Sequence, residues 1–195
     1  VTVLGPDDDV VAHLGHVPRR VAVAGVSGSG KTTLARRLAG RVGIPHTELD
    51  ALHHGPGWVP RPEFLDDVRA LVAQDAFVTE WQYRAARPLV LARAEVLVWL
   101  DLPTHVTMRQ VTWRTLRRSV TREELWNGNV EPPIWRTLHK PAEENIVRWA
   151  WEKRHAYRGL PELVAREAPH VVVVRLRSRA ETHRWVRRLP PPPAA

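Results

Sequence analysis

The chain contains no cysteine, which excludes disulfides, thiol nucleophiles, thiolate metal sites and iron–sulfur clusters. It also lacks long hydrophobic runs. Its longest apolar stretches, such as Val96 to Leu100 and Val171 to Val174, fall far short of the roughly 20 residues that a membrane helix needs. Where an export signal would place basic residues before an apolar run, the N-terminus carries Asp7, Asp8 and Asp9, so cytoplasm is the expected compartment and no membrane is expected as a partner. There is no internal repeat. The N-K-x-D element that reads guanine in GTP switches is missing, and so is the acidic pair that closes an apolar strand in ring-shaped motor ATPases. Lysine is scarce: Lys31, Lys140 and Lys153 are three of 29 cations, so the other 26 are arginines.

What is present is an ordinary globular composition, 44% hydrophobic and 26% charged over 195 residues. A chain of this size makes one domain with room for an insertion, and wholesale disorder is excluded. The net charge of +8 and the pI near 11 point to polyanionic partners, a nucleotide or a nucleic acid, and planar guanidinium forks suit phosphate.

Periodicity divides the chain into alternating strands and helices. Arg20 to Gly25 (RVAVAG) is a β-branched run stopping at a glycine-rich turn. Thr33 to Val42 then repeats Leu34, Leu38 and Val42 at helical spacing and ends at Gly43 ahead of Pro45. Thr47 to Asp50 reads as a second strand, Leu52 to Pro62 as a loop, and Arg61 to Gln74 as an amphipathic helix. Ala76 to Glu80, Glu95 to Asp101 and Val171 to Leu176 read as strands three, four and five, each followed by helical character. Such alternation implies a parallel sheet covered on both faces. Roughly seventy residues between strands four and five exceed one crossover helix, so an insertion is expected there. Within it, Thr104 to Ser119 and Ala142 to Arg158 look helical, and Thr121 to Pro141 is rich in Asn, Gly and Pro. Residues 1–19 read as a leader or an extra strand, residues 20–189 as the domain with its insertion at about 119–141, and residues 190–195 as a proline-rich tail.

The most specific element is Gly25-Val26-Ser27-Gly28-Ser29-Gly30-Lys31-Thr32, which fits G-x-x-x-x-G-K-S/T and lies between a strand and a helix. In that pattern, glycines let backbone N–H groups turn inward around phosphates and the helix adds its positive dipole end. Gly25, Ser27, Gly28, Ser29, Gly30, Lys31, Thr32 and Thr33 are therefore the expected triphosphate-binding residues. Lys31 would reach the β- and γ-phosphates, and Thr32 would ligate a Mg2+ ion. Asp50, at the end of strand two, can orient an acceptor hydroxyl, and Glu80, at the end of strand three, is a candidate for holding Mg2+ through water. His53 and His54 follow closely enough to enter the same cleft.

On a helical wheel over the insertion, Arg109 falls with Val106, Trp113 and Leu116 on the apolar face, and it needs either a carboxylate such as Asp101 or the nucleotide. Arg114, Arg118 and Arg122 recur every four residues on another side and would match charge during phosphoryl transfer. Of the nine tryptophans, Trp81, Trp126, Trp135, Trp149 and Trp151 flank the cleft or insertion, and one of them stacking on a nucleobase is an open expectation.

With these residues in view, the chain resembles the bacterial adenylate-kinase-like P-loop proteins called topology modulation proteins. The likeness is carried by GVSGSGKTTLARRLA from Gly25, ELDALHHGPGW from Glu48, TEWQY from Thr79, VWLDLP from Val98, RTLRRSVTREELWNGN from Arg114 and RWAWEKRHAYR from Arg148. It spans roughly Val21 to Leu189. The resemblance implies an α/β P-loop NTPase fold like that of nucleoside monophosphate kinases. Its parallel sheet would have five strands in the order 2-3-1-4-5, helices on both faces and a helical lid after strand four. It carries over Lys31 and Thr32 as phosphate and Mg2+ residues, Asp50 and Glu80 as acidic residues on the acceptor side, and Arg114 and Arg118 as lid residues. The chain departs from the pattern in two places: Glu80, Trp81 and Gln82 replace the aspartate, glycine and asparagine often found before Tyr83, and Val130 replaces the arginine often found after W-N-G-N.

The expected activity is transfer of the γ-phosphoryl group of ATP, with Mg2+, to a small-molecule or nucleotide acceptor. The alternative is a nucleic-acid-associated P-loop ATPase or regulator. Arginines clustered around the cleft would favour the first, and a basic stripe leading away from it the second.

Overall fold

A computed structural model of the chain describes residues 1–133 and 145–192. Its strands are β1 Val3–Leu4, β2 Arg20–Gly25, β3 His46–Thr47, β4 Phe77–Glu80, β5 Val96–Leu100 and β6 Val172–Leu176. Its helices are α1 Val10–Leu14, α2 Lys31–Val42, α3 Leu49–His53, α4 Phe64–Val72, α5 Arg87–Arg93, α6 Thr104–Thr121, α7 Ile146–Glu152, α8 Leu160–Glu167 and α9 Arg179–Arg188. All strands pair in parallel in the order β1-β6-β5-β2-β4-β3.

The sheet therefore has six strands where five were expected. The other five run in the expected sequence, and the sixth comes from the segment read as a leader or an extra strand, where Val3 pairs with Val173 and Leu4 with Val174. Asp9 then caps α1, accepting from the Val11 and Ala12 N–H groups, and α1 buries Val10 against the sheet. Two apolar residues suffice for that strand because β6 otherwise exposes an unpaired edge.

Alternation along the strands separates two cores. Val21 and Val23 point into the layer of α1, α2 and α9, with Leu34, Leu38, Val98, Val174 and Trp185. Ala22 and Ala24 face the opposite layer, where the small residues leave room for Phe77, Trp81 and Trp99 under α4, α5 and α8.

Two local expectations are corrected. The second strand is only His46–Thr47, and Asp50 lies in the first turn of α3 rather than at a strand end. The chain turns there because the buried Glu80 carboxylate accepts from the Leu49 N–H at 3.3 Å. Helix α6 presents a different face inward from the one that its apolar residues mark. Thr107, Val111, Thr115 and Ser119 are buried, whereas Trp113, Leu116 and Val120 are 68%, 43% and 73% exposed. Arg109 is exposed with them, and Asp101, offered as its partner, pairs instead with Arg175 at 2.8 Å.

Candidate active site

The site begins where β2 hands over to α2. A Cβ on Gly28, whose φ is +78°, would lie 2.5 Å from the Thr107 carbonyl oxygen and 2.9 Å from the Val111 Cβ, so only glycine lets the loop nest against α6. Helix α2 opens at Lys31 with Gly30 as its cap and no side chain on its first N–H groups, leaving them for an anion. Ser29 is buried with its Oγ unpartnered. The Lys31 Nζ donates to the Val26 carbonyl at 3.3 Å, folding the side chain back over the loop.

Burial pulls the Lys31 ammonium down to about 8, opposed by Asp50 and reinforced by the Arg114 cation. A lysine held in this way is short of negative charge, which a triphosphate would supply.

Glu80 closes β4 fully buried, accepting from His46 Nε2 at 3.2 Å, from the Leu49 N–H and from the Thr32 side chain. Burial pushes its carboxyl up, but these hydrogen bonds and the His46 charge outweigh burial, and the group lies below the usual carboxylate range. Among the described residues no three His, Asp or Glu side chains converge as a metal cage. A Thr32 hydroxyl tied to a buried carboxylate nevertheless fits Mg2+, which binds through one or two protein groups plus phosphates and water.

Asp50 faces the same space from α3. Its Oδ1 accepts from Gln82 Nε2 at 2.7 Å and from the Tyr83 hydroxyl at 2.5 Å, and Tyr83 Oη lies 3.0 Å from His54 Nε2. His53 stacks on the Tyr83 ring at 4.0 Å. Burial and the adjacent His54 lower the His53 pKa. Tyr83 is raised well above its ordinary value, first by burial and then by Asp50. Sequence reading quoted Tyr83 and Gln82 but gave them no role, because Asp50 is 33 residues away from Tyr83.

Helix α6 contributes Arg114 from its inner face. Burial and Arg118 lower its pKa against the pull of Glu131 and Asp50. Its Nε is buried without a partner, and among the described residues no carboxylate pairs with it. Gln110 Nε2, one turn earlier, is likewise buried and unpartnered. Arg118 differs, since it is held by Glu131 at 2.8 Å, and Arg117 reaches Glu123 at 3.4 Å. Arg114, Arg117, Arg118, Glu123 and Trp113 line a cleft of about 220 Å³. Arg122 is the exposed left-handed cap of α6.

The described part of the expected lid already touches the acceptor side. Asn129 accepts from the Trp58 N–H at 2.9 Å and donates to the Gly55 carbonyl at 2.9 Å, Asn127 donates to the His54 carbonyl, and Trp126 Nε1 donates to Glu48 at 2.9 Å. Glu48 also pairs with Arg36 of α2, so one carboxylate links the phosphate-loop helix to the insertion. Trp81 is a core residue under Arg87, and Trp149 and Trp151 are exposed; Trp135 and residues 134–144 lie outside the described residues. Among the described residues no helix is long and apolar enough to cross a membrane.

No family model matches the chain, and no curated protein matches it. Among solved structures it is similar to the shikimate kinase from Acinetobacter baumannii in complex with shikimate, at 17% identity and a TM-score of 0.50, covering 87% of this chain and 89% of that one. It is also similar to a gluconokinase from Sinorhizobium meliloti 1021 (20% identity, TM-score 0.48, 89% of this chain and 94% of that one). A third is the shikimate kinase from Bacteroides thetaiotaomicron (17% identity, TM-score 0.47, 88% and 96%). The first of these likenesses, with the parallel sheet and its phosphate loop, places the chain in the α/β P-loop kinase fold class.

Proposed function

We propose that the chain is an ATP-dependent phosphotransferase acting on a small acceptor, and that it is a member of the adenylate-kinase-like group its sequence resembles. What supports this reading is that Lys31 lies within electrostatic reach of Asp50, Glu80 and Arg114, that Thr32 is tied to Glu80, and that Arg114 Nε is buried with no hydrogen-bond partner among the described residues.

The loop N–H groups from Gly25 to Thr33 cradle the phosphates. Lys31 and Arg114 match the charge that develops on the transferring group, which is where preorganised cations act most strongly. Thr32, with Glu80 through a water molecule, would hold Mg2+, which screens the phosphate charges when bound. Asp50 orients the acceptor. Arg118 joins the phosphates only when it leaves Glu131. The nucleic-acid alternative draws less support, because Arg114 and Arg118 turn toward the cleft and Arg117 and Arg118 are paired with Glu123 and Glu131.

Calorimetric titration with Mg·ATP tests the assignment. The parent chain binds, Lys31→Ala does not, and equal affinity in the two would overturn the reading.

A further inference from the structure

The geometry around Asp50 points to an alcohol hydroxyl as the phosphoryl acceptor, rather than a phosphate group, and to Tyr83 as the residue that positions Asp50 to receive it. This rests on the phosphotransferase reading above and narrows its acceptor to one class.

Hydrogen-bond direction carries the inference. Asp50 Oδ1 accepts two bonds, from Gln82 Nε2 at 2.7 Å and from Tyr83 Oη at 2.5 Å. Since Tyr83 donates its only proton to Asp50, its oxygen accepts from His54 Nε2 at 3.0 Å, which puts a proton of His54 on Nε2. The protons of His54 and Tyr83 therefore both point toward Asp50.

Tyr83 holds its hydroxyl there from a left-handed backbone, φ +56°, which is costly for an aromatic residue and persists only where its surroundings over-determine it. Asp50 Oδ2 receives no hydrogen bond among the described residues. A carboxylate oxygen can only accept, so it recognises a donor or a cation, and the hydroxyl of an acceptor supplies such a donor. A phosphate acceptor offers oxygens that accept and carry charge, a mismatch at this atom.

Arg87, a cation near the site, lies between the Trp81 ring at 4.5 Å and the Tyr157 ring at 5.2 Å, and donates to Tyr157 Oη at 3.0 Å. Its Nε is buried without a hydrogen-bond partner among the described residues. Lys31 and Arg114 belong to the transferring phosphoryl group.

In the step this implies, an oxygen lone pair of the acceptor hydroxyl forms the new bond to the γ-phosphorus. The bond from that phosphorus to the bridging oxygen of ATP breaks, and its electron pair leaves on ADP. The hydroxyl proton passes to Asp50 Oδ2 and then to water, so the products are a phosphate monoester, ADP and one proton.

The test uses the full chain with Mg·ATP and the variants Asp50→Asn, Tyr83→Phe and Lys31→Ala. 31P NMR follows incubations with AMP, CMP, GMP and UMP and the background hydrolysis of ATP, in which water takes the place of the hydroxyl. The expected result is no nucleoside diphosphate from any monophosphate. In hydrolysis, kcat should fall about 100-fold in Asp50→Asn and about 10-fold in Tyr83→Phe, with KM for ATP and the melting temperature unchanged. A merely structural Tyr83 would lower the melting temperature and leave kcat alone, which overturns its positioning role. Phosphorylation of a monophosphate above the hydrolysis rate overturns the hydroxyl assignment and leaves the phosphotransferase reading standing. ATP binding that ignores Lys31→Ala, or a chain that binds ATP and never cleaves it, overturns both.

Discussion

The phosphate loop and helix α6 meet at Gly28, yet they are built on opposite terms. In the loop and α2, the residues that pack are those that local pattern marks: Leu34, Leu38 and Val42 line one helical face and all are buried. In α6 the pattern is turned around. The apolar Trp113, Leu116 and Val120 face out, and the inner face carries Thr107, Thr115, Gln110 and Arg114, with buried polar atoms of the last three left unpartnered. A folded chain leaves such groups unmade only where something else completes them. The difference teaches that hydrophobic periodicity reports packing faithfully on a helix that serves the core, and misreports it on a helix whose inner face is polar.

The largest effect separates what the two regions do for catalysis from what they do for stability. Lys31→Ala and Arg114→Ala should each depress turnover about 100- to 1000-fold, the loss found when one preorganised donor is removed. Thermal melting of the ligand-free chain should be unchanged or higher in Arg114→Met, because a buried Nε with no hydrogen-bond partner among the described residues is removed. A variant that melts lower would mean that Arg114 holds α6 in place, and the contrast between the two regions would break.

Gly28→Ala probes the contact that joins them. The added Cβ meets α6 backbone at 2.5 Å and the residue keeps a positive φ, so urea denaturation should register a loss of about 2–3 kcal/mol, the range for overpacking plus backbone strain. No loss would mean that α6 can slide away from the loop at no cost.

The inverted faces of α6 are tested by a pair of substitutions. Val111→Ala should cost about 1.5 kcal/mol at roughly 0.8 kcal/mol per buried methylene, whereas Trp113→Ser should stay within about 0.5 kcal/mol despite removing the larger side chain. Denaturation midpoints in the reverse order would restore the face that the helical wheel marks.

The smallest effect is a proton. With Lys31 near 8 in the free chain against an ordinary value of 10.5, the unfolded chain holds this proton between those values and the folded chain does not. Raising the pH through that window therefore stabilises the free fold. A bound triphosphate favours the charged amine, so ATP binding at pH 9 should take up close to one proton, and affinity should fall as pH rises above about 8. Calorimetry in two buffers of different ionisation heat measures the uptake; a value near zero would mean that Lys31 does not face the phosphates.

Much of the fold was legible because its signals are local. The β-branched run at Arg20 to Gly25, the glycine spacing through Gly30 and the 3.6-residue repeat of α2 depend only on near neighbours. The extra strand was harder to read, since Val3 and Leu4 become a strand only by pairing with Val173 and Val174 at the far end of the chain. Asp50 and Glu80 were found from their types and places after apolar runs, but Asp50 was put at a strand end because nothing nearby reveals that Glu80 draws in the Leu49 N–H and starts a helix.

Sequence by itself determined the phosphate loop, the parallel α/β class and the residue types that the site needs, because each follows from backbone geometry and side-chain chemistry within a few positions. Tertiary structure alone decided which face of α6 turns inward, that Arg114 Nε finds no partner among the described residues while Arg118 is held by Glu131, and that Tyr83 and Gln82 grip one oxygen of Asp50. These outcomes depend on burial and on partners 13 to 33 residues apart, where a single ångström separates a hydrogen bond from none.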